Sequence, residues 1–209
     1  MFQIMINAVA VKMTIDLEHY SKKGWVIINN AVPNDYLQIV KEEGLRLRKK
    51  QSKTSHPIVT CASKQSRKLW DAYTSAFMYE IAYRILGEQI WLFNDQVVYK
   101  LPNDKMEFAP HYDNQFGNEN KEKQIHTINC SWILDDFTID NGAFSVLNKD
   151  TKEWETILPK QKDILIINGN TTHSSKPNES NKERGLYACV YSESPITLDG
   201  FYKERFLND

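Results

Sequence analysis

The chain has 209 residues, 41% hydrophobic and 25% charged, with a formal net charge of −1. It is long enough to bury a core in one domain, and its near-neutral balance marks it for neither nucleic acid nor a membrane surface. No stretch approaches the roughly 20 apolar residues that span a bilayer.

Residues 1–12 are apolar but lack a basic start and a small-residue cleavage site, so they do not read as a secretory signal. Met13 opens what looks like a natural protein start, which makes the preceding residues an expected dispensable extension. Residues 17–20 suggest a helical turn, and Trp25–Ile28 a short buried strand after Gly24. Pro33 opens a helix over 34–49 with Leu37, Val40 and Leu45 on one stripe. Residues 49–66 are polar and weakly periodic and read as a long loop. Ser66 caps a predicted helix over 67–86, with Gly87 at its C-terminal end. From Glu88 the pattern changes to strands, predicted over 89–101, 125–134, 142–148, 155–159, 163–169 and 186–193. Residues 196–209 suggest a short surface helix or coil.

Helices first and strands after, without interleaving, argue for a mainly β fold with flanking α structure. The expected core is a double-stranded β-helix, a jelly roll of cupin-like form, with the N-terminal helices packed on one sheet. One domain should cover residues 1–209: a strand and helices over 1–87, the jelly roll over 88–194 and a tail over 195–209. Cys61, Cys130 and Cys189 are an odd number, which favours reduced thiols and a cytoplasmic location over a disulfide framework.

The chemistry concentrates in His111-Tyr112-Asp113, with His173 about sixty residues on. In a strand, residues i and i+2 share a face, so one extended segment would present His111 and Asp113 together. Pro110 favours extended backbone there. An H-x-D triplet alone is more often a surface turn than a ligand pair. Here, however, only five histidines exist, and His19, His56 and His126 lie in the helical flank, a loop and a strand start without a carboxylate at ligand spacing. Two imidazoles and a carboxylate with open positions suit non-haem Fe(II). Zinc is the chief competitor, but neither H-E-x-x-H nor paired C-x-x-C is present, and imidazoles suit calcium poorly.

Arg184 follows His173 by eleven residues and heads the last strand. Its guanidinium forks onto a carboxylate with two hydrogen bonds and would anchor the far end of a dicarboxylate co-substrate; a surface ion pair is the plainer alternative.

The chain resembles the phytanoyl-CoA dioxygenase-like group of Fe(II)/2-oxoglutarate oxygenases. The resemblance is carried by DQVVYKLP, HYD, SWILDDFTIDNGAFSVL and DILIINGNTTHSSKPNESNKERGLYACVY, with GWVIINNAVP at the opening strand and helix. It covers most of the chain from about Asp16. One departure stands at Leu147-Asn148-Lys149-Asp150, where the family usually carries a Pro-Gly-Ser-His turn near the pocket mouth.

The resemblance implies a single oxygenase domain that uses Fe(II), 2-oxoglutarate and O2, with His111, Asp113 and His173 as catalytic metal ligands. It implies Arg184 as the co-substrate anchor and further contacts from Gln96, Trp132 and Ser175, although Trp132 serves equally well as core. The expected reaction is hydroxylation of an unactivated C–H bond of a small-molecule metabolite, with release of succinate and CO2. Asp113 itself speaks against halogenation, because related halogenases replace this carboxylate with a small residue. The rivals are a catalytically silent jelly-roll binding protein and a cupin-like metalloenzyme that does not use 2-oxoglutarate. Between Lys41 and Lys68 stand nine Lys/Arg against two Glu. That excess is a solvated helix end and loop, or else a lid attracting an anionic substrate. No aromatics interleave it for base stacking, so nucleic acid is not an expected partner.

Overall fold

Two antiparallel sheets face each other, and the residues singled out above lie on or beside strands of both. The computed structural model describes residues 14–50, 58–116, 125–196, 201–202 and 204–206. Helix α1 (Leu17–Lys23) is capped by the Asp16 carboxylate, which accepts from His19 N at 2.8 Å. It stops at Gly24, whose φ of +77° suits a residue without Cβ, and the chain enters β1 (Trp25–Ile28). Helix α2 (Asn34–Lys50) buries Leu37, Val40 and Leu47; Leu45 is only partly buried. The inward stripe thus continues one turn further, through Gly44, which packs beside Val97 and Tyr99.

The expected loop over 49–66 is part of the framework where it is described. Strand β2 (Ile58–Thr60) and a 3₁₀ turn (Ala62–Gln65) occupy it, and β2 pairs with the next strand; residues 51–57 lie outside the described residues. The single helix expected over 67–86 is two, α3 (Arg67–Tyr73) and α4 (Ala76–Leu86). Thr74 and Ser75 separate them by hydrogen-bonding locally. Thr74 Oγ1 donates to Trp70 O at 2.8 Å, and Ser75 Oγ accepts from Met78 N as a new N-cap.

Strands β3 (Trp91–Lys100), β4 (Phe108–His111), β5 (Thr127–Ile133), β6 (Phe144–Leu147), β7 (Trp154–Ile157), β8 (Ile164–Asn168), β9 (His173–Ser175) and β10 (Arg184–Ser192) complete the fold. The larger sheet runs β1-β8-β5-β10-β3-β2 and the smaller β4-β9-β6-β7. This is the expected jelly roll. Alternation on β5 and β10 divides the interior. Ile128, Cys130, Trp132, Tyr187 and Cys189 pack with Val40, Leu69 and Ile81 of the helices, while Val98, Leu186 and Ala188 pack with Val146 and Phe137 between the sheets.

The described tail residues form no helix. They lie along the start of β3, with Leu92 N donating to Glu204 O at 2.9 Å and Phe206 N to Ile90 O at 2.8 Å. Tyr202 and Phe206 are buried, so apolar burial and unpaired β3 backbone hold the segment where a short surface helix or coil was expected. All three cysteines are free thiols. Among the described residues no helix is long and apolar enough to cross a membrane.

Candidate active site

His111 closes β4 and His173 opens β9, and the two are direct register partners across the smaller sheet. Their ring centroids are 4.3 Å apart. Asp113 does not continue the strand. It begins a 3₁₀ turn (Asp113–Phe116), tied down by Asn114 N donating to Gly169 O at 3.0 Å. The carboxylate therefore reaches the histidines by a turn of the backbone rather than by strand alternation. Asp113 Oδ1 lies 3.7 Å from His173 Nε2 and 4.0 Å from His111 Nε2. One ligand atom from each residue lies within 4.8 Å of the others.

The surroundings prepare these atoms for a metal. His111 Nδ1–H donates to Ala109 O at 2.7 Å, and His173 Nδ1–H to Thr171 O at 3.0 Å. A carbonyl only accepts, so each Nδ1 carries a proton, and Nε2 is the ring nitrogen that faces Asp113. Burial pushes the His173 imidazole below its usual range, partly offset by Asp113, which favours the neutral ligand form. Asn129, on β5, donates from Nδ2 to Asp113 Oδ2 at 3.0 Å.

Behind the triad a small cavity, about 50 Å³, is lined by the three ligands, Gln96, Ser131, Ser175 and Arg184 among others. Arg184 is 1% exposed. Its Nη2 donates to Gly142 O at 2.7 Å, and its guanidinium stacks 4.3 Å from the Phe137 ring centre. Gly142 has a φ of +75°, and a side chain there would collide with the Lys176 carbonyl. The Asn141-Gly142 pair thus lets backbone approach the guanidinium. Arg184 Nε and Ser175 Oγ are both buried without a hydrogen-bond partner among the described residues. Burial lowers Arg184 to about 9, partly offset by the Asp135 carboxylate. Lys100, the register partner of Arg184 on β3, is fully buried; its Nζ donates to Ser175 O at 3.1 Å and to Lys176 O. Burial, and then Arg184, lower it to about 7. A larger cavity, about 510 Å³, opens on the other side of His111 and Asp113.

The family model for phytanoyl-CoA dioxygenase (PhyH) matches residues 20–186. The chain belongs to the phytanoyl-CoA dioxygenase family. No curated protein is matched by its sequence. Solved structures are similar in fold. The non-heme alpha ketoglutarate dependent epimerase SnoN from nogalamycin biosynthesis superposes with a TM-score of 0.73 at 16% identity, covering 90% of this chain and 83% of the other. The carbocyclase SnoK from the same biosynthesis gives 0.75 at 15% identity, covering 87% and 84%. EctD from S. alaskensis, solved with 2-oxoglutarate and 5-hydroxyectoine, gives 0.73 at 14% identity, covering 84% and 74%.

Iron(II) and 2-oxoglutarate, the cofactors of this dioxygenase class, fit the residues present. Two imidazole Nε2 atoms and a carboxylate are the donor set of a facial triad that leaves positions open on a metal. The unsatisfied Arg184 Nε and Ser175 Oγ would suit the distal carboxylate of a small diacid.

Other expected contacts divide. Gln96 lines both cavities and makes no side-chain hydrogen bond to a described residue. Trp132 is not brought to the site. It projects from the opposite face of β5, is 0% exposed, and its Nε1 donates to Met78 Sδ at 3.1 Å, amid Tyr36, Phe77 and Tyr187. Asn129 and Ser131 reach the site from that strand instead. The alternation Asn129-Cys130-Ser131-Trp132, polar against apolar, carried the signal.

Nor does the basic stretch form a free cationic lid where it is described. Lys41 pairs with Asp135 at 2.7 Å, Arg46 with Glu43 at 2.6 Å, Arg67 with Asp71 at 2.7 Å, and Arg48 with Glu183. Residues 147–150 line neither cavity.

Proposed function

We propose that this member of the phytanoyl-CoA dioxygenase family hydroxylates an unactivated C–H bond of a small-molecule metabolite. The observation that carries the reading is the pair of buried, unpartnered donors, Arg184 Nε and Ser175 Oγ, in the small cavity behind the triad. Leaving such groups unsatisfied costs about 1–3 kcal/mol each, a cost that a bound dicarboxylate removes. A silent binding protein has no use for that arrangement, and a metalloenzyme without 2-oxoglutarate has none for Arg184.

His111, Asp113 and His173 would hold the metal on one face. Arg184 and Ser175 would orient the diacid so that its keto-acid end points to the triad. Gln96 and Asn129 line the junction between the co-substrate and substrate sides. When bound, iron and 2-oxoglutarate supply the power to oxidise a C–H bond with O2, releasing succinate and CO2. The apolar walls of the small cavity, Phe108, Phe144 and Leu186, would keep bulk water from the bound diacid. Free thiols at Cys61, Cys130 and Cys189 support a reducing compartment such as the cytoplasm.

Anaerobic addition of Fe(II) and 2-oxoglutarate tests the reading. A weak visible charge-transfer band is expected, and at limiting co-substrate Arg184→Ala should lose it. A succinate-release screen over amino acids, organic acids and other metabolites then finds the substrate, and one labelled oxygen from O2 in the product establishes hydroxylation. Full substrate-linked succinate formation by both His111→Ala and Asp113→Ala would refute the assignment.

A further inference from the structure

We propose that the C-terminal tail is a wall of the substrate cavity, and that Phe201 with Phe93 selects a neutral, ring-bearing substrate. This rests on the oxygenase reading only in taking the larger cavity as the substrate's. Phe93 and Phe201 both line that cavity, and their rings stack with centroids 5.4 Å apart at 28°. The tail is fastened on both sides of this pair. Tyr202 N donates to Phe93 O at 3.0 Å, and Tyr202 OH donates to Asp95 Oδ1 at 3.1 Å and also contacts Ser63 Oγ. Lys64 Nζ donates to Phe201 O at 3.4 Å and lies 4.6 Å from the Tyr202 ring centre.

Asp95 is 0% exposed and collects Ser63 N, Ser63 Oγ, Tyr187 OH and Tyr202 OH. Its chain neighbours Asn94 and Gln96 point the other way, into the cavity. One short piece of β3 therefore anchors the tail on one face and lines the cavity on the other.

The lining sets the substrate class. Among the described residues that border the larger cavity there is no Lys or Arg; the charged side chains are Glu107 and the metal ligand Asp113. A carboxylate or phosphate would meet the Glu107 carboxylate there and, apart from a metal ion held at the triad, no cation to offset its desolvation. A neutral molecule would find the carboxamides of Asn94, Gln96 and Asn129 for its hydroxyl or amide groups, and the Phe pair for its ring. This favours a neutral substrate over the anionic one that a basic lid would attract.

The test uses the full chain without metal and a matched probe pair, 4-hydroxyphenylacetamide and 4-hydroxyphenylacetate, titrated by saturation-transfer NMR. The wild type should prefer the amide. Phe201→Ala should weaken amide binding about tenfold, the size of an aromatic contact. Phe201→Leu, which keeps the bulk, and Tyr202→Phe, which frees the tail from Asp95, should weaken it less. Equal or tighter binding of the acid overturns the substrate class. Unchanged amide binding in a folded Phe201→Ala overturns the tail's role, and no binding of either probe by the wild type overturns both. Ring binding without an Fe(II)–2-oxoglutarate band would instead remove the oxygenase reading and leave the tail.

Discussion

Asn129 donates to Asp113 Oδ2 at 3.0 Å, which leaves Oδ1 of the same carboxylate facing His173 Nε2 at 3.7 Å. Asn129 is itself oriented by Ser131, whose hydroxyl donates to Asn129 Oδ1 at 3.0 Å. The carboxylate is thereby offered to a metal through one chosen oxygen. Asn129→Ala should weaken Fe(II) binding by about 10- to 100-fold, the usual effect of removing an outer partner of a ligand. Anaerobic metal titration checks this, and wild-type affinity in the variant would show that Asn129 does not orient Asp113.

Arg184 presents a fork in a site closed by Gly142 O and the Phe137 ring. A lysine keeps charge there but loses the planar pair of donors. Arg184→Lys should raise the KM for 2-oxoglutarate by about 10- to 100-fold, as expected for one lost charge-assisted hydrogen bond. Steady-state succinate formation against 2-oxoglutarate concentration measures it, and an unchanged KM would count against the anchor.

Lys100 makes stability depend on pH. Burial, then Arg184, hold it at about 7, against an ordinary 10.5. Between those values the unfolded chain binds a proton that the folded chain does not, so this group makes stability rise with pH across that window. Below pH 7 both states are charged and the burial penalty is fully present. Lys100→Met should flatten the profile, by at most about 1.4 kcal/mol per pH unit. Urea unfolding of both proteins between pH 7 and 10 gives the difference, and identical slopes would refute the depressed value.

Trp132 should matter to folding and not to the co-substrate. Trp132→Ala should lose about 3–5 kcal/mol, typical of a large buried aromatic, in denaturant unfolding. Trp132→Phe should leave the KM for 2-oxoglutarate unchanged, whereas a raised KM in that variant would return Trp132 to the site.

Much of the site was legible before any fold was seen, because its chemistry is rare in composition. With five histidines and a single H-x-D, few metal sets exist to choose from, and Arg184 follows His173 on the next strand. The strands β3, β5, β8 and β10 of the larger sheet were legible because they are long and apolar. The short strands β2, β4 and β9 were not, since so few residues carry no period. The break at Thr74 and Ser75 was hidden because apolar spacing runs through it, while the competing hydrogen bonds are local.

The sequence by itself determined which atoms can bind metal and diacid: two imidazoles, one carboxylate and one guanidinium are chemical identities that no folding alters. Tertiary structure alone decided which side chains share their space. It turned Trp132 toward the helices and Asn129 and Ser131 toward the His111–Asp113–His173 cluster, because neighbouring residues of a strand face opposite ways and only packing settles which face is inner. It also set Phe201 beside Phe93, since contacts between residues so far apart in the chain are made by backbone pairing and burial, which local sequence does not encode.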